Sequence, residues 1–313
     1  MAYTGETPIE HNGKKVVAFL ESGEWTIPDG VTKVDVLVVA GGGGGGNSRG
    51  GGGGAGGLIF RPNYQVESGT SIDVVVGQGG SHISGGNPGE NGDNSSFDNL
   101  IALGGGGGGA VSGSDDPDNY NGNDGGSGGG ARRGDDRTTY GGSGTQPSQS
   151  GDSGSPYGFG NDGSGSTSSD EAAGGGGAGE PGTLLPMGEG QTGGDGLKEV
   201  VIEETTYNFA TLFGTNYGVD DDGDGEAWFA GGGGGQETTG GKGGGGEGCH
   251  SNECLPGTEN TGGGGGGDRT DNGTDGGSGI VLIAYEEPTI EVTTQPATNV
   301  SFESAELNGE ITE

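Results

Sequence analysis

The sequence predicts a mainly β and irregular fold: a base of β-strands carrying a packed array of polyglycine-II helices, with long loops and little or no α-helix. Three observations predict it. Glycine is 87 of the 313 residues and comes in blocks. The apolar residues are gathered into short strand-like runs. Several of those runs feed straight into a glycine block, as in "VDVLVVAGGGGGG" (34–46), "NLIALGGGGGG" (99–109) and "AWFAGGGGG" (227–235).

Composition sets the outer bounds. A glycine fraction near one third suggests collagen, which also needs a strict G-X-Y period and about 15–20% proline; here 12 residues are Pro and the glycines keep no such period. A low content of Val, Leu, Ile and Phe with high net charge argues for disorder. A disordered linker, however, has no cause to keep clusters such as "KVVAFL", "SIDVVV", "KEVVIEE" and "GIVLIAY". The net charge is −35, with 46 acidic residues against 11 basic ones. That argues against a nucleic-acid or anionic-membrane partner, because phosphate contacts need a Lys/Arg surface. No stretch approaches the ~20 apolar residues of a membrane-inserting helix. Such a charge repels itself in a compact chain. At about 1 M salt the Debye length is about 3 Å and the repulsion is largely screened. The balance fits a protein of concentrated brine, from a haloarchaeon or from something that infects one; an ordinary acidic surface protein is the blander reading.

Taken in order, residues 1–14 read as a polar N-terminal arm without the apolar segment of a secretory signal. Strands are expected at 15–20, 24–27 and 31–39, separated by the turn signals "ESG" and "PDG". In the third, Val34, Val36 and Val38 share one face while Leu37 and Val39 share the other, so its end is buried on both sides. Further strands are expected at 57–60, 72–76 and 97–103. Between 110 and 230, Gly/Ser blocks alternate with polar, Tyr-bearing segments, and one denser island, 197–213, reads as a hairpin. A last strand at 280–285 closes the glycine-rich domain, 15–285, and "EEP" (286–288) reads as a linker.

The glycine runs of four or more are 41–46, 50–54, 104–109, 174–177, 231–235, 243–246 and 262–267. One reading is a set of flexible linkers. The other is polyglycine II, with three residues per turn, a rise of about 3.1 Å and no internal hydrogen bonds. Its N–H and C=O groups point sideways to neighbouring helices, and glycine alone allows the close approach, as it does at the collagen axis. Ordering a residue costs roughly 1–2 kcal/mol, and most for Gly. A single run cannot offset that. Many runs exchanging backbone hydrogen bonds at about 1 kcal/mol each, with weak Cα–H···O contacts, can do so once their register is fixed. The abutting strands supply the register. The run 41–46 would span about 19 Å, giving a short, dense slab whose connecting loops gather at the far end.

"FLESGEWTIPDGVTKVDVLVVAGGGGGG" (19–46) resembles the opening of the glycine-rich domain of tailed-virus tail-fibre proteins and adhesins, in which a W-T-V-P-x-G-V hairpin leads into an apolar strand and then glycine. "GGSGIVLIAY" (276–285) is similar to that family's closing strand, and "NSSFDNLIALGGGGGG" and "AWFAGGGGG" to its middle pieces. The resemblance covers about residues 15–285. It implies a β base bearing a polyglycine-II sandwich whose distal loops vary and touch the host receptor. The chain departs from the pattern in its acidity and in long inserts between 111 and 230. "PATNVSFESAELNGEIT" (296–312) is similar to the first two strands of a fibronectin-type-III-like repeat. Such a domain needs about 100 residues, so 286–313 is expected to be a linker and the incomplete start of an immunoglobulin/fibronectin-III-like domain, either in a fragment of a longer chain or completed by a partner's strand.

Candidate binding loops are "SDDPDNYNGND", "ARRGDDRTTYGG", "SQSGDSGSPYGFGN" and "TLLPMGEG". Exposed aromatics among Ser, Gly and Asn resemble binding loops in composition. This makes Tyr120, Tyr140, Tyr157 and Phe159 candidates for receptor contact, or alternatively internal staples of the array. Arg132 and Arg133, with Arg137 nearby, are either a contact for an acidic host surface or partners of Asp135 and Asp136. "DDDGDGE" places Asp220, Asp222 and Asp224 like the start of a calcium loop. Gly231 stands where the bidentate Glu of an EF-hand should be, which leaves a looser calcium or sodium site, or plain solvated charge. Cys249 and Cys254 are expected to form a local disulfide, because a structural zinc wants four ligands and the His residues are far apart. "TTGGKGG" lacks the leading Gly and the Ser/Thr of a P-loop, and no nucleophilic triad has supporting context. No enzymatic activity is expected. The expected function is that of a structural, receptor-binding tail-fibre protein of a haloarchaeal tailed virus, acting from the virion tail outside the cell in high salt. Expected partners are a host cell-surface glycoprotein or S-layer, other virion tail proteins and further copies of the chain, as a trimer. A cell-surface or filament structural protein or adhesin of a halophilic archaeon is the alternative.

Overall fold

The computed structural model describes residues 7–111, 117–134, 138–167, 172–183, 191–249, 254–270, 273–288, 291–298 and 306–312. Asp135, Asp136, Arg137 and residues 184–190 of "TLLPMGEG" lie outside them. In chain order the strands are β1 (Ile9–His11), β2 (Lys14–Phe19), β3 (Gly23–Thr26), β4 (Lys33–Val39), β5 (Leu58–Gln65), β6 (Ser71–Val75), β7 (Ser95–Phe97), β8 (Leu100–Ala102), β9 (Thr138–Thr139), β10 (Gly158–Phe159), β11 (Ser166–Thr167), β12 (Glu199–Ile202), β13 (Thr205–Asn208), β14 (Ile280–Tyr285), β15 (Glu291–Thr298) and β16 (Glu306–Thr312). One short helix, α1 (Phe209–Phe213), is the only α-helix among the described residues. The fold is mainly β, with small antiparallel sheets and irregular connections.

The base is a six-stranded sheet ordered β1-β2-β14-β4-β5-β10. Its central strand β4 keeps the alternation read from sequence. Val34, Val36 and Val38 are buried with Trp25, Val74, Phe97 and Leu100 on one face. Leu37 and Val39 are buried with Phe60, Phe209, Phe213 and Phe229 on the other. The first face is covered by a four-stranded sheet, β3-β6-β7-β8, with Trp25 against Phe97 at 6.0 Å between ring centroids. The second is covered by the β12–β13 hairpin and α1. The Asn208 side chain caps α1 by accepting from the Thr211 amide, and the helix stops at Gly214, φ +88°. Phe209 and Phe213, one turn apart, both reach Phe60. Burying each Phe fully stabilises the fold by roughly 1.5–3 kcal/mol.

Some boundaries differ from expectation. The base begins at Ile9, inside the segment read as an arm, because Ile9–His11 pairs with residues 14–16 of β2 through a turn at Asn12-Gly13. The stretch 97–103 is a hairpin turn and a strand rather than one strand. Asp98 adopts φ +51° there, and its carboxylate accepts from Tyr64 Oη at 2.6 Å. The "AWFA" run makes only isolated bridges, Leu197 to Phe229 and Val219 to Trp228. The one acidic residue of β4, Asp35, is buried but satisfied by Lys14 Nζ at 2.7 Å and by the Asn63 amide at 2.9 Å. β15 and β16 form an antiparallel pair.

Beyond the base, the glycine runs are not strands. Their hydrogen bonds change partner with a period of three. Gly41 and Gly44 donate to Asp93 and Glu90, Gly42 and Gly45 to Gly277 and Thr274, and Gly43 and Gly46 to Gly54 and Gly51, all at 2.8–3.1 Å. A β-strand offers its groups to two sides in alternation; a three-fold helix offers them to three directions, as polyglycine II does. The register is inherited from the base. Val36 faces Arg61 and Val39 faces Leu58 in the β4–β5 ladder. The same chains then bond 40 to 57, 43 to 54 and 46 to 51 without a slip. Likewise Val39 faces Ile280 in the β4–β14 pair, and bonds from 42 to 277 and from 45 to 274 continue it. Strand and glycine run are one continuous device.

The absence of Cβ is a steric necessity here. A Cβ on Gly42, Gly43, Gly45 or Gly53 would stand 2.0–2.2 Å from a carbonyl oxygen of a neighbouring run. Where the array runs out of backbone partners, polar side chains complete it. Asn94 Oδ1 accepts from the Gly104 amide and Asn91 Oδ1 from that of Gly107, three residues on, both at 2.9 Å. Asp162 and Asp195 serve the amides of Gly144 and Lys242 in the same way. Part of the polar composition is therefore edge capping.

Candidate functional site

The turns joining successive helices fall at two ends of the slab. One end is the base. At the other end lie the turn at 47–49 and the described residues 82–88, 110–111, 117–121, 131–134, 138–139, 235–238, 249, 254, 268–270 and 273. Asn47, fully buried, ties three of these stretches together, donating to the Ile83 carbonyl and accepting from the Gly273 amide. Next to it the Ser48 amide donates to the Thr270 carbonyl at 2.6 Å, and the Arg133 amide to the Arg49 carbonyl at 3.1 Å.

These stretches enclose a cleft of about 420 Å³ lined by Ser48, Arg49, Val111, Tyr120, Arg132 and Arg269. The Arg132 guanidinium lies over the Tyr120 ring, 4.6 Å from its centroid. Both side chains are almost fully buried, so Tyr120 is a support for Arg132 and not an exposed contact residue. Arg269 meets Glu237 at 3.4 Å. Every described arginine except Arg61 lies at this end, whereas the lysines lie at the base end. The far end thus gathers four of the five described arginines, beside acidic groups such as Glu237 and Asp268.

The other predicted residues divide clearly. Tyr140 lies at the far end and is 65% exposed, with its amide held by Asn121 Oδ1 at 2.9 Å. Tyr157 and Phe159 do not lie there. β10 carries Phe159 back onto β5, where it pairs with Leu58. The Tyr157 carbonyl accepts from the Phe60 amide, and Arg61 covers the Tyr157 ring at 4.2 Å while pairing with Asp152 at 3.1 Å. Both aromatics pack on the apolar core of the base. For these two the staple reading holds, because the long 144–157 loop doubles back to the sheet edge.

The acidic loop also sits at the base end, and its carboxylates are spoken for. Asp220 accepts from the amides of Asp224 and Gly225, and Asp221 from that of Gly243. Asp222 pairs with Lys242 at 2.7 Å, and Asp224 with Lys198 at 3.7 Å. The two lysines flank the Trp228 ring at 5.3 and 5.2 Å. The carboxylates of Asp220, Asp222 and Asp224 are not brought together into one ligand set. Among the described residues the one such grouping is Cys249, Cys254 and Asp268, and its two sulfurs are joined in a disulfide. That disulfide lies at the far end, with Asp268 fully buried beside it.

Sequence reasoning missed Arg49 and Arg269. Each is a single cation beside a glycine run, without flanking pattern. The available signal was rarity: 11 basic residues in the chain, with Arg49 at the tip of a tight turn between two glycine runs.

A strand base whose ladders continue into three-fold glycine helices defines a glycine-rich scaffold that presents loops at its far end. The chain belongs to the glycine-rich domain family, whose model matches residues 18–286. No curated protein matches it. Among the described residues no helix is long and apolar enough to cross a membrane.

Proposed function

We propose that the protein is a receptor-binding tail-fibre component of a haloarchaeal tailed virus, attaching to a host surface glycoprotein or S-layer through the far-end loops of its glycine-rich domain. The observation that carries this reading is the arginine-lined cleft at the end of the slab away from the base, in a chain otherwise strongly acidic. The array supports it physically: loops anchored at both ends in a rigid hydrogen-bonded slab lose little freedom on binding. The β15–β16 pair, read as the start of a fibronectin-III-like domain, would link the head to the rest of a fibre, with trimeric association and other tail proteins as partners. The strong negative charge suits molar salt.

The test is adsorption. Purified full chain in molar KCl should retain host surface-layer protein in a pull-down and should block virus adsorption to host cells. Failure of both would refute the reading. Retention of surface protein from the producing cell itself, with no block of adsorption, would favour the cellular adhesin.

A further inference from the structure

We propose that the far-end cleft binds a saccharide that carries an oxoanion, with Arg49 and Arg269 as direct ligands and Arg132 behind them. This rests on the reading that the far end meets the host surface, and it names the chemistry recognised there.

Three arginines converge on the cleft. Arg49, Arg132 and Arg269 come from three stretches far apart in sequence and line one cavity.

Backbone conformation sets one of them in place. Ser48 and Arg49 turn the chain between runs 41–46 and 50–54 with φ of +53° and +66°, in the left-handed region. Glycine takes these angles without steric cost. The chain places glycine pairs at comparable positions elsewhere, at Gly85-Gly86 and Gly243-Gly244. Glu203-Glu204, in the β12–β13 hairpin turn, is another non-glycine pair, so the angles alone do not mark a site. At Ser48-Arg49 they coincide with the cavity wall. The turn therefore places the Arg49 side chain at that wall.

A guanidinium has five N–H donors, so an arginine that already meets a protein partner, as Arg269 meets Glu237, keeps donors for a second oxoanion. Paired N–H···O⁻ contacts are the strong, directional form of recognition for carboxylate, sulfate and phosphate. Direction matters in brine, where long-range attraction is screened within about 3 Å at 1 M salt. The cavity of about 420 Å³ falls within the range of small-ligand sites, about 300–1,000 Å³. That volume accommodates one or two sugar rings. Val111 and the Tyr120 edge give it an apolar wall, and Ser48 a hydroxyl.

The test uses the full chain in molar KCl, titrated with glucuronate, a sulfated glucose, a phosphorylated glucose and plain glucose, followed by ligand-observed NMR. At least one charged sugar should bind saturably and plain glucose should not; the tightest of the three identifies the oxoanion. Arg49→Gly removes the guanidinium while relieving the left-handed strain, so its melting temperature should stay near that of the wild type and its affinity should fall roughly ten- to a hundred-fold. Arg61→Gln should bind as wild type does. The proposal is overturned if plain glucose binds as well as the charged sugars, if Arg49→Gly binds like the wild type, or if a poly-glutamate peptide binds and no sugar does. Charged-sugar binding that depends on Arg49, with no block of virus adsorption, would refute the attachment reading and leave the cleft assignment standing. Blocked adsorption without any sugar binding would do the reverse.

Discussion

Replacing Gly43 by Ala places one methyl in the middle of the array, where its effect can be worked from geometry. The new Cβ would lie 2.2 Å from the Gly106 carbonyl oxygen and 2.5 Å from its carbon, well inside the ~3.5 Å of ordinary carbon contacts. Both atoms belong to backbone that cannot swing away, so the runs 41–46 and 104–109 must part by about 1 Å. The bonds between them, Gly105 to Gly41 and Gly108 to Gly44, are each 2.9 Å and would be lost. Each lost bond, counted as one buried group left unsatisfied, costs about 1–3 kcal/mol. Ala returns about 0.4–1 kcal/mol by restricting the unfolded chain. The expected net loss is about 2–5 kcal/mol, a large share of the ~5–15 kcal/mol of a typical domain. Gly223→Ala is the control: nothing lies within 4 Å of its Cβ and φ is +69°, so the cost is about 1–2 kcal/mol of left-handed strain. Equilibrium unfolding in molar KCl, followed by circular dichroism, measures both. Gly43→Ala no worse than Gly223→Ala would refute the close-packing argument. The array does accept a methyl where a gap is built for it: Ala55, Ala178 and Ala230 are buried in one cluster with Leu58 and Phe229.

Three further outcomes follow from the same structure. Replacing both Cys249 and Cys254 by Ser opens a short loop and should cost about 2 kcal/mol, read as a lower melting temperature; an unchanged value would mean that the disulfide does not constrain the far end. The Tyr64 phenol is pushed up to about 12, first by burial and then by its hydrogen bond to Asp98. Because the folded value lies above the unfolded one of about 10, its contribution is whole below pH 10 and is lost as pH rises toward 12. Burial also pushes the Tyr285 phenol up, so phenolate absorbance should show a late-titrating component that shrinks but does not vanish in Tyr64→Phe; simultaneous titration of all eight tyrosines near pH 10 would contradict it. Calcium added to metal-stripped protein should leave the melting temperature unmoved, because Asp220, Asp222 and Asp224 are already engaged by amides and lysines. A saturable rise that Asp222→Asn abolishes would restore the calcium reading.

Much of the fold was legible because two patterns are written plainly. Period two in "VDVLVV" separates Val34, Val36 and Val38 from Leu37 and Val39, and the two sets lie in different cores. The glycine blocks then signal a segment whose neighbours must touch backbone to backbone. What glycine cannot carry is identity. Nothing in a run of identical residues says that 42 and 45 meet 277 and 274 while 43 and 46 meet 54 and 51; that pairing is set by the strand order of the base. The site was legible only in part for the same reason. Arg132 was conspicuous because Arg133 follows it. Arg49 and Arg269 become neighbours of Arg132 only when three separate turns are brought to one end. Tyr157 and Phe159 have the composition of a binding loop, yet the return of β10 to β5 fixes them at the base. The five-residue α1 is too short to leave a helical period.

The central claim is that strand register passes into three-fold glycine helices. Scalar couplings across hydrogen bonds, measured by NMR on glycine-labelled protein in molar KCl, test it most directly. The account predicts couplings from the Gly43 and Gly46 amides to the carbonyls of Gly54 and Gly51, and from the Gly42 amide to that of Gly277, so that partners recur every third residue. Partners recurring every second residue would make the runs ordinary β-strands. Absence of couplings, with amide exchange at the rate of an open chain, would make them linkers. Either result would contradict the architecture.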